Sequence, residues 1–153
     1  VEKLEQQAEA IVQADPELAQ QFRHLVSVRG IARVSALHIL AELVILAPDM
    51  TARQWVAHAG LDPRHHDSGT SIHKPARISR AGNRYLRAAL FMPALVATQH
   101  DPNIRAFYQK LVDRGKTKMQ AIVAVMRKLL HALHGMLRTG SDFVGEKFYV
   151  IPS

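Results

Sequence analysis

Residues 117–138 read TKMQAIVAVMRKLLHALHGMLR, and this stretch decides the fold class. Ile122, Met126, Leu129, Leu133 and Met136 recur at helical spacing, and Val125 and Leu130 widen the stripe. A stripe that wide belongs to a central helix that others cover. Thr117 suits its N-cap, and the Arg114-Gly115-Lys116 turn precedes it.

Upstream, the same reasoning finds more helices. Asp101-Pro102 caps a helix through Val112, with Phe107 and Leu111 inward. Ser79 to Gln99 is helical, with Leu86, Leu90, Leu95 and Val96 inside, and Pro93 should bend it near Ala89. Thr51 caps a short helix holding Trp55, Val56 and Ala59, which Gly60 ends; Trp55 belongs to the core. Val28-Arg29-Gly30-Ile31-Ala32 forms a turn before a helix from Val34 to Leu46. Ile31, Val34, Leu37, Leu40, Ala41 and Val44 form the buried side of that helix.

At the front, Val1, Leu4, Ala8 and Ile11 make a helical seam, and Leu18, Phe22 and Leu25 continue it beyond Asp15-Pro16. The seam suits either a partner chain or the chain's own domain. The expected architecture is all-α, a compact domain of six to eight helices with a helix-hairpin-helix-like element. Residues 1–25 form a coiled-coil-like leader, residues 26–140 the main domain and residues 141–153 a tail without periodicity. The opening at Val1, inside a helical pattern, suggests the back part of a longer protein.

The 153 residues carry a net charge of +7 and no cysteine. Residues 1–22 hold one base and five acids, a net of −4, so the rest carries +11. A basic body behind an acidic leader points to a polyanion, most simply nucleic acid. Disulfides and thiolate metal sites are excluded, and a reducing, cytoplasmic setting is the natural reading. No apolar run approaches the ~20 residues that cross a bilayer, so no membrane partner is expected.

From Leu61 to Ser79 the pattern is neither helical nor alternating, and Pro63, Gly69 and Pro75 break it. This irregular basic loop holds Arg64, His65, His66, Asp67, Ser68, Gly69, Lys74 and Arg77. Serine attacks a phosphodiester only when its proton is drawn off and the developing charge is neutralised. Arginine suits the second task, because its planar fork pairs two phosphate oxygens. With a helix starting near Ser79, Arg80, Arg84 and Arg87 share one face, and amides near Gly82 and Asn83 face an anion. His65, His66 and Asp67 are candidate proton acceptors. The plainer readings are that Ser68-Gly69 is a turn and that the arginines are a solvated surface. The turn at Arg29, Gly30 and Ala32 likewise either offers amides to a phosphate or simply connects two helices. His58, His65, His66 and His73 match no metal signature, and Asp62 with Asp67 makes no two-metal site.

Gly60-Leu61-Asp62-Pro63, Ser68-Gly69, Ile78-Ser79-Arg80-Ala81-Gly82-Asn83, Leu86-Arg87 and Gly115-Lys116 stand in fixed order. That ordered set, within about Val26 to Leu137, resembles the C-terminal domain of transposases of insertion sequence family one hundred and ten. These are bridge-RNA-guided recombinases of the IS116/IS110/IS902 type. The family's Pro-Gly-Ile-Gly hairpin has Arg29 and Ala32 here in place of its proline and second glycine. The resemblance implies a serine nucleophile at Ser68 that joins covalently to a cut DNA strand. It also implies a homo-oligomer with a composite active site and a structured guide RNA that pairs with DNA. Magnesium would belong to an N-terminal RuvC-like domain with four acidic residues, linked through a coiled coil. No cofactor is expected within these 153 residues, which lack that domain. Two rivals remain: a binding and oligomerisation module without the cutting chemistry, and a helical dimerisation unit without nucleic acid.

Overall fold

The computed structural model describes residues 1–64, 77–78 and 83–153. The described part is all-α apart from one two-residue antiparallel bridge. Its helices are α1 (Glu2–Ala14), α2 (Pro16–Val26), α3 (Arg33–Leu43), α4 (Ala52–His58), α5 (Arg84–His100), α6 (Pro102–Asp113), α7 (Lys118–Thr139) and α8 (Gly145–Phe148). The bridge pairs β1 (Pro63–Arg64) with β2 (Arg77–Ile78).

Helix α7 is the hub. It packs against α2, α4, α5, α6 and α8. Its whole predicted stripe is buried, from Ile122 through Met136, together with Ala121 and Val123. Thr117 and Gln120 form a reciprocal capping box at its start, and Gly140, in the left-handed region, closes it. Asp15 and Asp101 cap α2 and α6 ahead of first-turn prolines, each accepting two backbone N–H groups. These capping residues are where the sequence puts them, because a side-chain cap is a local interaction.

Three elements depart from the sequence expectation. Helix α5 starts at Arg84 on an Asn83 cap, and residues 79–82 lie outside the described ones. Helix α3 ends at Leu43 and turns a different face inward: Ala36, Leu37, Ile39, Leu40 and Leu43 are buried. Val34 and Val44 are instead 40% and 51% exposed. Two apolar stripes at helical spacing coexist on α3, so periodicity cannot choose between them. Packing of α3 on α5 makes the choice. The third departure is α8, a helix too short to show a period, whose Phe148 is buried in the core.

The front seam divides at Asp15-Pro16: Phe22 and Leu25 are buried in the chain's own core with Leu18 packed against it, while the α1 half stays open. Leu4 and Ile11 are each 68% exposed, and Val1 and Ala8 are exposed as well. Val12 reaches the core, and Glu9 pairs with Arg33, whose guanidinium stands 5.2 Å from the Phe22 ring.

The helix–turn–helix of α2 and α3 is tied to the middle of α5 by Gly30. Its φ of +120° suits glycine, and a Cβ there would lie 2.6 Å from the Pro93 carbonyl oxygen and 2.8 Å from the Ala97 nitrogen. At the other end of the chain, the Lys128 ammonium lies 4.4, 5.2 and 5.6 Å from the rings of Phe107, Phe148 and Tyr149. Burial first, then Lys110, pulls its pKa below the ordinary lysine value. The ring faces oppose that pull, because they attract the charged form.

Gly30→Ala is expected to cost roughly 2–4 kcal/mol in urea unfolding, combining backbone strain with the collision against α5. Gly115→Ala is the control: its φ is +95° but no atom lies within 4 Å of the added Cβ. It should lose only about 1 kcal/mol. Lys128→Met keeps the apolar stem and removes the charge, and should lower stability by about 1 kcal/mol in the same measurement.

Candidate nucleic-acid interface

The amino end of α5 and the two ends of the segment between Leu61 and Asn83 meet at the carboxyl end of α4. A helix leaves its last carbonyls without intrahelical donors. Three carbonyls at and just beyond the end of α4 are taken by other elements. The His58 carbonyl accepts from the Asn83 N–H at 2.6 Å. The Ala59 carbonyl accepts from Nη1 of Arg87 at 3.1 Å. The Leu61 carbonyl accepts from Nε of Arg127 at 2.8 Å. Gly60, at φ +70°, makes the reversal that drives Leu61 into the core, where it is fully buried.

Asn83 joins more than two elements. Its Oδ1 accepts from the Tyr85 and Leu86 N–H groups at 2.8 and 3.2 Å, capping α5. Its Nδ2 donates to Oε2 of Glu42 on α3 at 2.8 Å. Beyond this junction, Pro63 pairs with Ile78 and Arg64 with Arg77, bringing the two backbones together. Ser68, Lys74, His65, His66, Asp67 and His73 lie outside the described residues, as do Arg80 and Gly82. For Arg64 and Arg77 only the backbone placement is described.

Arg84 and Arg87 stand one turn apart on the first turns of α5. Arg84 is exposed, with its guanidinium 5.0 Å from the Tyr85 ring and Nη2 donating to the Tyr85 hydroxyl at 3.1 Å. Arg87 is half-buried, and the bond to Ala59 uses one of its five N–H donors.

Arg127 is a further basic residue of this junction, one that no local motif marks. Burial lowers its pKa from the ordinary arginine value, and the nearby Asp62 carboxylate works in the opposite direction. An arginine remains charged at neutral pH despite such a shift. His131, one turn further along α7, is pushed down by burial first, then by His134, Arg127 and Arg53. Its neutral form therefore prevails at neutral pH, and the positive charge there belongs to the two arginines. Arg127 stands beside Lys128 in the middle of α7, and its partner Leu61 is 66 positions away in sequence. Nothing in local spacing joins the two.

The hairpin residues occupy a different place. Gly30 sits against Pro93 and Ala97, and Nη1 of Arg29 donates to the His100 carbonyl at 3.4 Å, at the carboxyl end of α5. Ala32 is the N-cap residue of α3 and makes no side-chain cap. At 1.5 Å rise per residue, Arg84 and His100 are ~24 Å apart along the axis. Gly30 and Arg29 thus meet the middle and the carboxyl end of α5, whereas Arg84 and Arg87 stand at its start. Among the described residues, no group of three or more His, Asp or Glu side chains converges as metal ligands.

Comparison with known proteins places this geometry in a family. The chain is 35% identical over 144 residues to the pilin gene-inverting protein of Moraxella bovis, an alignment covering 94% of this chain and 45% of that protein. It is 34% identical over 140 residues to the insertion element IS110 43.6 kDa protein of Streptomyces coelicolor, covering 92% of this chain and 33% of that one. The insertion element IS116 44.8 kDa protein of Streptomyces clavuligerus is 32% identical over 105 residues, 64% of this chain and 25% of that one. The chain thus spans less than half the length of these relatives. The profile of the Transposase IS116/IS110/IS902 family matches residues 22–109, from the second helix through the junction into α6. The chain belongs to the IS116/IS110/IS902 family of transposases.

Proposed function

We propose that this chain is the C-terminal part of a DNA transposase, and that its loop supplies the serine nucleophile for strand cleavage and exchange. The observation that carries the reading is the junction. It holds both ends of the Ser68-bearing segment against the helix start that bears Arg84 and Arg87. The name of the Moraxella relative describes inversion of a pilin gene. Inversion and insertion alike require DNA strands to be cut and rejoined.

The chemistry is a transesterification. Ser68 Oγ loses its proton to a base, bonds to phosphorus and displaces a deoxyribose oxygen, which takes up a proton. Attack by a deoxyribose hydroxyl of another strand reverses the step and frees the serine. Arg77, Arg80, Arg84 and Arg87 bind the phosphate and stabilise the charge that builds on its oxygens. Arg64, Lys74, Gly82 and Asn83 belong to the same DNA-binding surface; for Asn83 the contribution is the cap that orients the start of α5. Magnesium would belong to an acidic RuvC-like domain outside these residues. No step of the serine chemistry runs through it. A structured guide RNA and a homo-oligomeric assembly complete the proposal.

A second reading has its own support. The exposed apolar seam of Leu4 and Ile11 on α1 suits pairing with another helix. On that reading the chain is a nucleic-acid-binding and oligomerisation module, and another domain does the cutting.

Full-length protein carrying Ser68→Ala is expected to bind nucleic acid normally and to give no recombination product. The covalent protein–DNA adduct trapped from the wild type should disappear. Normal strand cleavage by this variant would leave the second reading in place. Binding should weaken steeply with salt, and Arg84→Ala should reduce the slope of log affinity against log salt by about 1. A slope unchanged by that substitution would remove Arg84 from the phosphate contacts.

A further inference from the structure

Between the start of α5 and the start of α7 runs an open groove of about 540 Å³. Its floor is apolar, formed by Phe91, Val123 and Met126, and Met119 stands at its edge, 58% exposed. Tyr85 projects from the opposite side, 61% exposed. Arg84, Arg87 and Ala88 also line it, and among the described residues no carboxylate does. Large apolar and aromatic side chains left open to water beside two cations call for a ligand that is flat and apolar in one part and anionic in another.

We infer that this groove takes one unpaired nucleotide, its base stacked on Tyr85 over the methionine-lined floor and its phosphate held by Arg84 and Arg87. The inference rests on the nucleic-acid reading above and adds a subsite to it. A base paired within a duplex hides both faces, so the groove selects a strand that is locally open. The volume suits a nucleoside, which lies at the small end of ligand sites. Arg84 already stacks on Tyr85 and bonds its hydroxyl, so a base arriving at the ring releases that guanidinium to the adjoining phosphate. Thioether side chains adapt their shape to the ring they meet, which suits a site blind to base identity. The subsite lies on the same two turns of α5 as Arg87, whose guanidinium holds the Ala59 carbonyl of the junction, and next to the Asn83 cap.

Fluorescence of 2-aminopurine reports stacking directly. Oligonucleotides carrying it at one unpaired position, in DNA and in RNA versions, are titrated with the full-length protein beside fully paired duplexes of the same length. The expected result is quenching at the unpaired position. Tyr85→Ala should weaken binding of that oligonucleotide by roughly tenfold or more and leave duplex affinity within about twofold. Tyr85→Phe should retain the affinity, because the ring and not the hydroxyl stacks. The DNA and RNA arms identify which strand fills the groove. Equal effects of Tyr85→Ala on paired and unpaired ligands, or none on either, overturn the subsite while leaving nucleic-acid binding intact. Absence of any nucleic-acid binding by the wild type at low salt overturns both readings. A change in sedimentation of Tyr85→Ala from oligomer to monomer would give the groove to a second copy of the chain and likewise overturn the inference.

Discussion

Helix α4 is only seven residues long, and an isolated helix of that length does not persist in water. What holds it, and much of the functional end of the molecule, is the capture of its terminal carbonyls by donors from elsewhere. The Asn83 amide and the Arg87 and Arg127 guanidiniums meet the oxygens of His58, Ala59 and Leu61. A carbonyl left unpaired in a buried setting costs ~1–3 kcal/mol, so each of these bonds is structural before it is anything else. Two of the three donors are cations. Their use here fixes positive charge at the end of α4 and the start of α5, and makes that charge part of the architecture.

Much of the fold was legible because it is written locally. The Asp15 and Asp101 caps, the Thr51 and Thr117 capping boxes and the broad stripe of α7 each depend on residues within a few positions of one another. The misread face of α3 shows the limit. Of the expected stripe, Ile31, Leu37 and Leu40 are buried, but Val34, Ala41 and Val44 are exposed and Ala36, Ile39 and Leu43 are buried in their place. Amphipathicity selects a face only when the opposite one is polar, and α3 has apolar residues on more than one side. The start of α5 was placed too early because residues before Asn83 carry no breaker stronger than Gly82, whereas Asn83 caps through its own carboxamide.

The candidate site was legible as chemistry and not as geometry. Arginines spaced by three or four beside a serine-bearing loop point to phosphate, and Arg84 and Arg87 do share the first turns of α5. The role of Arg127 is not legible in the sequence, since its bond to Leu61 spans 66 positions. Gly30 was legible as a turn glycine, but its close approach to Pro93 and Ala97 depends on an element more than sixty residues later. The turn and the arginine-bearing end of α5 are therefore mechanically connected through one helix while being separated by most of its length.

The setting of Lys128 has a consequence for how the molecule answers its surroundings. Its close neighbours are the faces of Phe107, Phe148 and Tyr149, and quadrupole attraction across 4–6 Å acts at a range shorter than the Debye length at physiological ionic strength. Dissolved electrolyte screens long-range attraction to a polyanion but hardly reaches a half-shielded ammonium clasped by aromatic rings. The contacts that fasten Phe148 and Tyr149 to α6 and α7 therefore keep their strength as ionic strength rises, and this corner of the scaffold answers to temperature or denaturant before it answers to salt.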